Sequence, residues 1–471
     1  MQQLTAHRDT IRNLTNADET RVIEQLREKF EPGAALRSRS NAQARKLVEK
    51  IRSEGQPGLM EVFLAEYGLS THEGVALMCL AEALLRVPDT PTIDELIEDK
   101  VSPSSWGEHL GGSSSPLVNA STWALMLSGK VLKEPNASGV VDLLRGAVKR
   151  LGEPVIRLAI QRAIKEMGHQ FVLGQTIDEA VRRGKAFEKQ GYTYSYDMLG
   201  EAALTSKDAT GFFHAYCDAI RSLSQNANSD NIAGNPGISI KLSALHPRYE
   251  LGQKTRVMDE LVPRVRELAI LAKSAQMGLN IDAEEADRLD LSLDVIEAVF
   301  RSKDLAGWDG FGVVVQAYGK RASAVIDWLY AISSELDRKI MVRLVKGAYW
   351  DTEIKLAQIK GVDDFPVFTN KATTDVSYIC CASQLLSMTD RIYPQFATHN
   401  AHTASSILDM AKDQTAFELQ KLHGMGDTLH DLVALRSENV KSRIYAPVGA
   451  HRDLLAYLVR RLLVRIRYGA R

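Results

Sequence analysis

The sequence predicts an α/β fold: a distorted (β/α)8 TIM barrel preceded by an N-terminal helical arm and a small α-helical domain. Three observations carry that reading. Eight short apolar runs each finish in one or two polar groups, segments of helical spacing separate them, and together they fill roughly 280 residues, about the size of an eightfold barrel. An open doubly wound sheet is the alternative. A nucleotide-binding sheet of that kind would carry a Gly-rich strand-to-helix turn, and the sequence has no G-x-G-x-x-G.

Residues 1–53 are charged and helically patterned, with few bulky apolar groups. Such a segment cannot build its own core, so it is expected to lie as an arm against something else. Residues 54–140 are read as an α-helical domain with a wrapping linker: 74–86 is a strongly apolar helix ending before Pro88, and 102–116 is rich in turn formers. Residues 141–471 are assigned to the barrel. Its strands are expected at 194–201, 238–245, 278–284, 310–318, 339–349, 393–400, 417–424 and 442–449. The helical spacing falls at 255–275, 289–301, 322–336, 377–387 and 401–412.

With 58 basic and 59 acidic side chains the net charge is -1, which gives no general attraction to nucleic acid or to an anionic membrane. No nucleic acid partner is expected. The four cysteines, Cys79, Cys217, Cys380 and Cys381, show no C-x-x-C spacing and fit a reduced, cytoplasmic compartment. There is no signal-peptide layout, and no run approaches the ~20 apolar residues of a membrane-spanning helix.

The chemistry is concentrated at the strand ends. The run 341–351 (MVRLVKGAYWD) places Arg343 and Lys346 in an apolar strand that does not need them, and burying a cation without a partner costs several kcal/mol, so an anionic ligand is the natural partner. In a barrel the strand ends converge, which would gather Glu201, Lys241, Asp282, Gln316, Arg343, Lys346, His399 and Tyr445 at one mouth. Beyond the last strand, Tyr457, Arg460 and Arg461 share one helix face, and paired guanidinium groups suit a carboxylate. A metal-dependent hydrolase using Asp282, His399 and His402 is the competing chemistry. A non-catalytic scaffold is the third. Bound zinc would mark the hydrolase, and no metal site is expected.

Several motifs resemble the proline dehydrogenase portion of the bacterial proline utilization A flavoenzymes. They are EPVIR (153–157), YSYDMLGEA (194–202), IKLSALHPRY (240–249), NIDAEE (280–285), RLVKGAYWD (343–351), ATHNAH (397–402) and YLVRR (457–461), and the likeness spans nearly the whole chain. The resemblance implies FAD-dependent oxidation of L-proline to Δ1-pyrroline-5-carboxylate, by hydride transfer to flavin N5. Electrons would then pass to a membrane quinone, with a peripheral contact at the inner membrane.

The resemblance also implies roles. Arg343 and Lys346 would contact the flavin, with Val345, Gly347, Ala348 and Trp350 lining it and Asp282 beside it. Gln316 and His399 would reach the isoalloxazine edge, and Thr369, Lys371 and Thr374 the adenosine and phosphate end. Thr398, Gln420 and Leu422 are carried over as further cofactor contacts. Lys241, Arg460 and Arg461 would hold the proline carboxylate, balanced by Glu201 and Asp282, with Glu201 and Arg460 as a gate. Tyr349, Tyr445 and Tyr457 would wall the ring. Relatives in that family continue into an aldehyde dehydrogenase module and some begin with a ribbon-helix-helix domain; neither is matched here, so one activity and no operator binding are expected. Val464 stands where the family has an acid, which removes a partner of the arginines.

Overall fold

The computed structural model describes residues 2–54, 172–412, 416–436 and 440–449. The expected helical domain, the segments 141–171 and 450–471, and with them Tyr457, Arg460 and Arg461, lie outside the described residues.

Eight parallel strands close into a barrel in chain order: β1 (Thr193–Met198), β2 (Gly237–Ile240), β3 (Gly278–Ile281), β4 (Phe311–Gln316), β5 (Ile340–Val345), β6 (Ile392–Ala397), β7 (Glu418–Leu422) and β8 (Lys441–Val448). β8 returns to β1 with Ser195 opposite Tyr445, which seals the ring. All eight expected strands are present. The second is shorter than expected, since residues 242–245 turn into a single helical turn after Lys241.

Strand side chains alternate between two environments. Tyr194, Ile238, Leu279, Val313, Val342, Phe396, Leu419 and Ile444 belong to the apolar core beneath the surrounding helices. Those helices include α4 (Ile177–Glu188), α5 (Ser206–Ser224), α7 (Lys254–Ser274), α8 (Leu289–Phe300), α9 (Ala322–Glu335), α10 (Trp350–Lys360), α11 (Lys371–Leu386), α12 (Ala401–Met410) and α13 (Asp427–Arg436); the short turn Leu242–Leu245 is α6. Capping fixes their starts: Thr205 and Asp208 form a reciprocal capping box on α5. Asn370 caps α11, which therefore starts six residues before the expected 377.

Ahead of the barrel, α1 (Gln2–Asn13), α2 (Glu19–Phe30) and α3 (Ala34–Glu54) form the arm. α1 packs on α9 and α2 on α11, so the arm lies against the barrel of its own chain. Buried Arg8 pairs with Asp290 and, at 2.9 Å, with Asp294, and stacks on Trp328. Among the described residues no helix is long and apolar enough to cross a membrane.

Candidate active site

The inward positions of the strands are polar, and they build upward in steps. At the base, Glu418 accepts from Arg443 Nε at 2.8 Å and from Gln395 Nε2 at 2.9 Å. Above it, Arg343 Nη2 donates to Ser195 Oγ and Ser239 Oγ, each at 3.0 Å. At the C-terminal end, Lys241 Nζ donates to Asp197 Oδ1 at 2.7 Å and lies 3.4 Å from Asp282 Oδ2. Asp282 also accepts from Arg343 Nη1 at 3.0 Å and from the Tyr445 hydroxyl at 2.7 Å. The Tyr445 ring stacks on the Arg343 guanidinium, 5.1 Å from the ring centre. Lys241, Asp282, Arg343 and Tyr445, widely separated in sequence, thus meet as expected.

Their partners differ from expectation. Each cation takes a carboxylate of this chain where an anionic ligand was expected: Arg343 takes Asp282, and Lys346 takes Asp375. The chief acid for Lys241 is Asp197, while Glu201 lies half-buried beyond the end of β1. Burial works against the Lys241 ammonium, but Asp197, Tyr445, Asp282 and Tyr216 together hold its pKa well above the usual lysine value. Burial pushes Asp197 upward, and Asp282 adds to that push while Lys241 opposes it. Around Lys346, burial dominates and lowers the ammonium despite Asp375.

Other expected residues cluster on the same rim. Gln316 donates to the Glu284 carbonyl at 2.9 Å and accepts from Ala348 N–H at 3.2 Å, tying the β3–α8 loop to the turn after β5. In that turn Gly347 has φ 137°, and a Cβ there would fall 2.4 Å from the Tyr318 ring, so glycine is required. Val345 and Tyr349 flank the turn half-buried, and Trp350 donates to the Phe368 carbonyl at 2.8 Å. His399 Nε2 accepts the Leu422 N–H at 2.9 Å, which places the proton of the neutral ring on Nδ1. Thr398 is held by His430, which donates to its carbonyl at 3.0 Å. Burial drops His430 to about 4, so it stays neutral. Thr369 and Lys371 are exposed, and the Thr369 hydroxyl is engaged by Glu19 of the arm at 2.8 Å.

Sequence reasoning missed Asp197, Ser195, Ser239, Gln395, Glu418 and Arg443. A usable signal was present: Y-S-Y-D, I-S-I-K and E-L-Q alternate apolar and polar with period 2, the mark of a strand whose inner face is polar. Also missed were Glu284 and Glu353, both driven to about 7 by burial. Glu353 accepts the Ala286 N–H at 2.7 Å and steadies the loop that follows Asp282.

Buried polar atoms left without a hydrogen-bond partner among the described residues test whether the site suits a polar planar cofactor. Among them are four on residues of this site or expected to contact a cofactor: Arg343 Nε, Asp197 Oδ2, Gln420 Oε1 and Thr374 Oγ1. Donors and acceptors are mixed beside buried cations, which fits a flavin ring with its own mixed edge and an anionic pyrophosphate. Among the described residues no cluster of His, Cys, Asp and Glu is placed to hold a metal ion.

Residues 180–463 match the family described as Proline dehydrogenase, and residues 59–171 the family described as DNA-binding domain of Proline dehydrogenase. The second match opposes the expectation of no nucleic acid partner, which rested on net charge and on the unmatched ribbon-helix-helix domain, and that expectation is withdrawn. The chain is 52% identical over 409 residues to the Bifunctional protein PutA of Rhizobium meliloti, covering 86% of this chain and 33% of that protein. It thus spans about a third of the length of such curated relatives. It is 27% identical to the Proline dehydrogenase of Deinococcus radiodurans, over 68% of this chain and 94% of that one. A mutant of Bradyrhizobium japonicum Proline Utilization A superposes with a TM-score of 0.73 at 47% identity, covering 97% of this chain and 45% of that chain.

Proposed function

The chain belongs to the proline dehydrogenase family, and on that premise we propose that it oxidises L-proline to Δ1-pyrroline-5-carboxylate, with FAD as hydride acceptor and a membrane quinone taking the electrons. The observation that carries the reading is the cluster of Lys241, Asp282, Arg343 and Tyr445 at the barrel mouth, its cations paired with acids of the same chain. The bound flavin would supply the two-electron acceptor.

The remaining work falls to the side chains. Arg343, Lys346 and Gln316, with Gly347, Ala348 and Trp350, would hold the cofactor, and Thr374 Oγ1 offers a buried polar atom to it. Lys241, with Arg460 and Arg461, would grip the proline carboxylate. Because Asp197 and Asp282 already neutralise Lys241 and Arg343, the acids position these groups before substrate arrives, and little rearrangement is needed on binding. The Tyr445 hydroxyl is tied to Asp282, so its ring is fixed as a wall that excludes water and limits ring size.

Anaerobic titration of the purified protein with L-proline tests the reading. The visible flavin band should bleach on adding about one equivalent and return on adding a soluble quinone analogue. Protein that carries flavin but does not bleach would refute the substrate. Bleaching without return would refute the quinone.

A further inference from the structure

We propose that Glu418, at the start of β7, is a positioning residue that fixes which end of the Gln420 amide is presented to the cofactor; the inference rests on the flavin reading above. Glu418 and Gln420 are two residues apart on one strand, so both project into the barrel, with Gln420 nearer the C-terminal mouth. Glu418 is fully buried. One of its oxygens, Oε1, accepts from three donors: Arg443 Nε at 2.8 Å, Gln395 Nε2 at 2.9 Å and Gln420 Nε2 at 2.6 Å.

An ionised carboxylate only accepts hydrogen bonds, so Gln420 must turn its NH2 toward Glu418 and its carbonyl away. The same acid orients Gln395, whose Oε1 then accepts from Asn280 Nδ2 at 2.9 Å. Arg443 anchors the acid in turn, since its guanidinium donates to the carbonyls of Tyr194 and Asn235 at 2.9 Å each and of Ala233 at 2.8 Å. A single buried charge therefore sets the polarity of a row of amides.

The outcome is an acceptor waiting for a donor. Gln420 Oε1 is buried and receives no hydrogen bond among the described residues, a condition that is costly if it persists. The complementary group is a ring imide N–H, and the oxidised isoalloxazine has one, at N3. Reversing the amide would set two donors against that N–H.

The test uses the full chain with its flavin bound and follows the alkaline ionisation of flavin N3 by its visible spectrum. An acceptor at N3 disfavours ionisation, so the wild-type ionisation should lie above that of free FAD. In Glu418→Gln the Gln420 amide is free to reverse, and the ionisation constant should rise about tenfold, roughly one pH unit. Glu418→Asp, which keeps the charge, should stay near wild type, and Gln420→Leu should return the ionisation toward free FAD. A Glu418→Gln titration equal to wild type would overturn the positioning role, even where L-proline still bleaches the flavin. Should Glu418→Gln fail to fold, an unchanged Gln420→Leu titration would overturn the proposal. Wild-type protein that binds no FAD would instead remove the flavin reading on which it stands.

Discussion

Replacing Asp197 with Asn isolates the pair that holds Lys241. Asp197 is 1% exposed and Lys241 8%, and their contact is 2.7 Å. Asparagine keeps the shape and loses the charge. Lys241 then depends on Asp282, 3.4 Å away and already serving Arg343 and Tyr445. Halving a buried ion pair costs about 3–5 kcal/mol, and the remaining acid places this case near the lower end, about 3 kcal/mol. For a barrel of this size that corresponds to a fall in Tm of roughly 6–12 °C.

The pH dependence has a definite sign. The folded pKa of Lys241 lies above its ordinary 10.5, so the pair's stabilising contribution is complete below that pH and is lost as pH rises through the folded value. In Asp197→Asn burial dominates, and once the folded pKa falls below 10.5 the sign reverses, so the variant regains stability as pH rises toward that value. Because burial also opposes the charge on Asp197, removing both partners with Lys241→Met and Asp197→Leu should cost less than Asp197→Asn alone. Thermal melts at neutral and alkaline pH, arranged as a double-mutant cycle, measure this. An Asp197→Asn melt within about 2 °C of wild type at both pH values would refute the reasoning.

Two other perturbations follow from the same geometry and from the motif at the C-terminal end. Burial raises the Glu284 carboxyl to about 7 from 4.5, against the pull of Ser243 and Arg288. The folded state therefore binds that proton more tightly, and stability falls as pH rises from 4.5 to 7 by up to roughly 3 kcal/mol, then levels off. Glu284→Gln should flatten this slope; melts at acidic and alkaline pH showing the wild-type slope would rule out Glu284 as its source. Arg460→Ala should raise the KM for L-proline by the equivalent of about 2–5 kcal/mol, and unchanged steady-state kinetics would reject its grip on the carboxylate.

The barrel was legible because strands buried on one face by helices announce themselves as apolar runs, and their polar ends mark the mouth. Lys241, Asp282, Arg343 and Tyr445 could be assembled from that rule alone. What could not be read was pairing across the barrel. Asp197 sits on β1 and Lys241 just past the end of β2, and nothing local says that one will answer the other before a ligand does. The interior acid Glu418 and its partner Arg443 were hidden for the same reason, since each strand read alone offers only an isolated polar residue. Thr369 shows a further limit: its hydroxyl is taken by Glu19, 350 residues earlier. Leu242–Leu245 misled because a short apolar run suits a strand and a helical turn equally.

The arm is wired into the barrel at the bend between α1 and α2. There the fully buried ammonium of Lys320 donates to the Ala17 carbonyl at 2.7 Å while pairing with Asp364 at 2.9 Å, and two residues on Glu19 clasps Thr369 ahead of α11. Trimming the first twenty residues would therefore not simply shorten a tail. It would strip one ligand from an interior lysine and unfasten the stretch between β5 and α11, so damage inflicted at the extreme amino end would surface at the turn that carries Lys346 and Gly347.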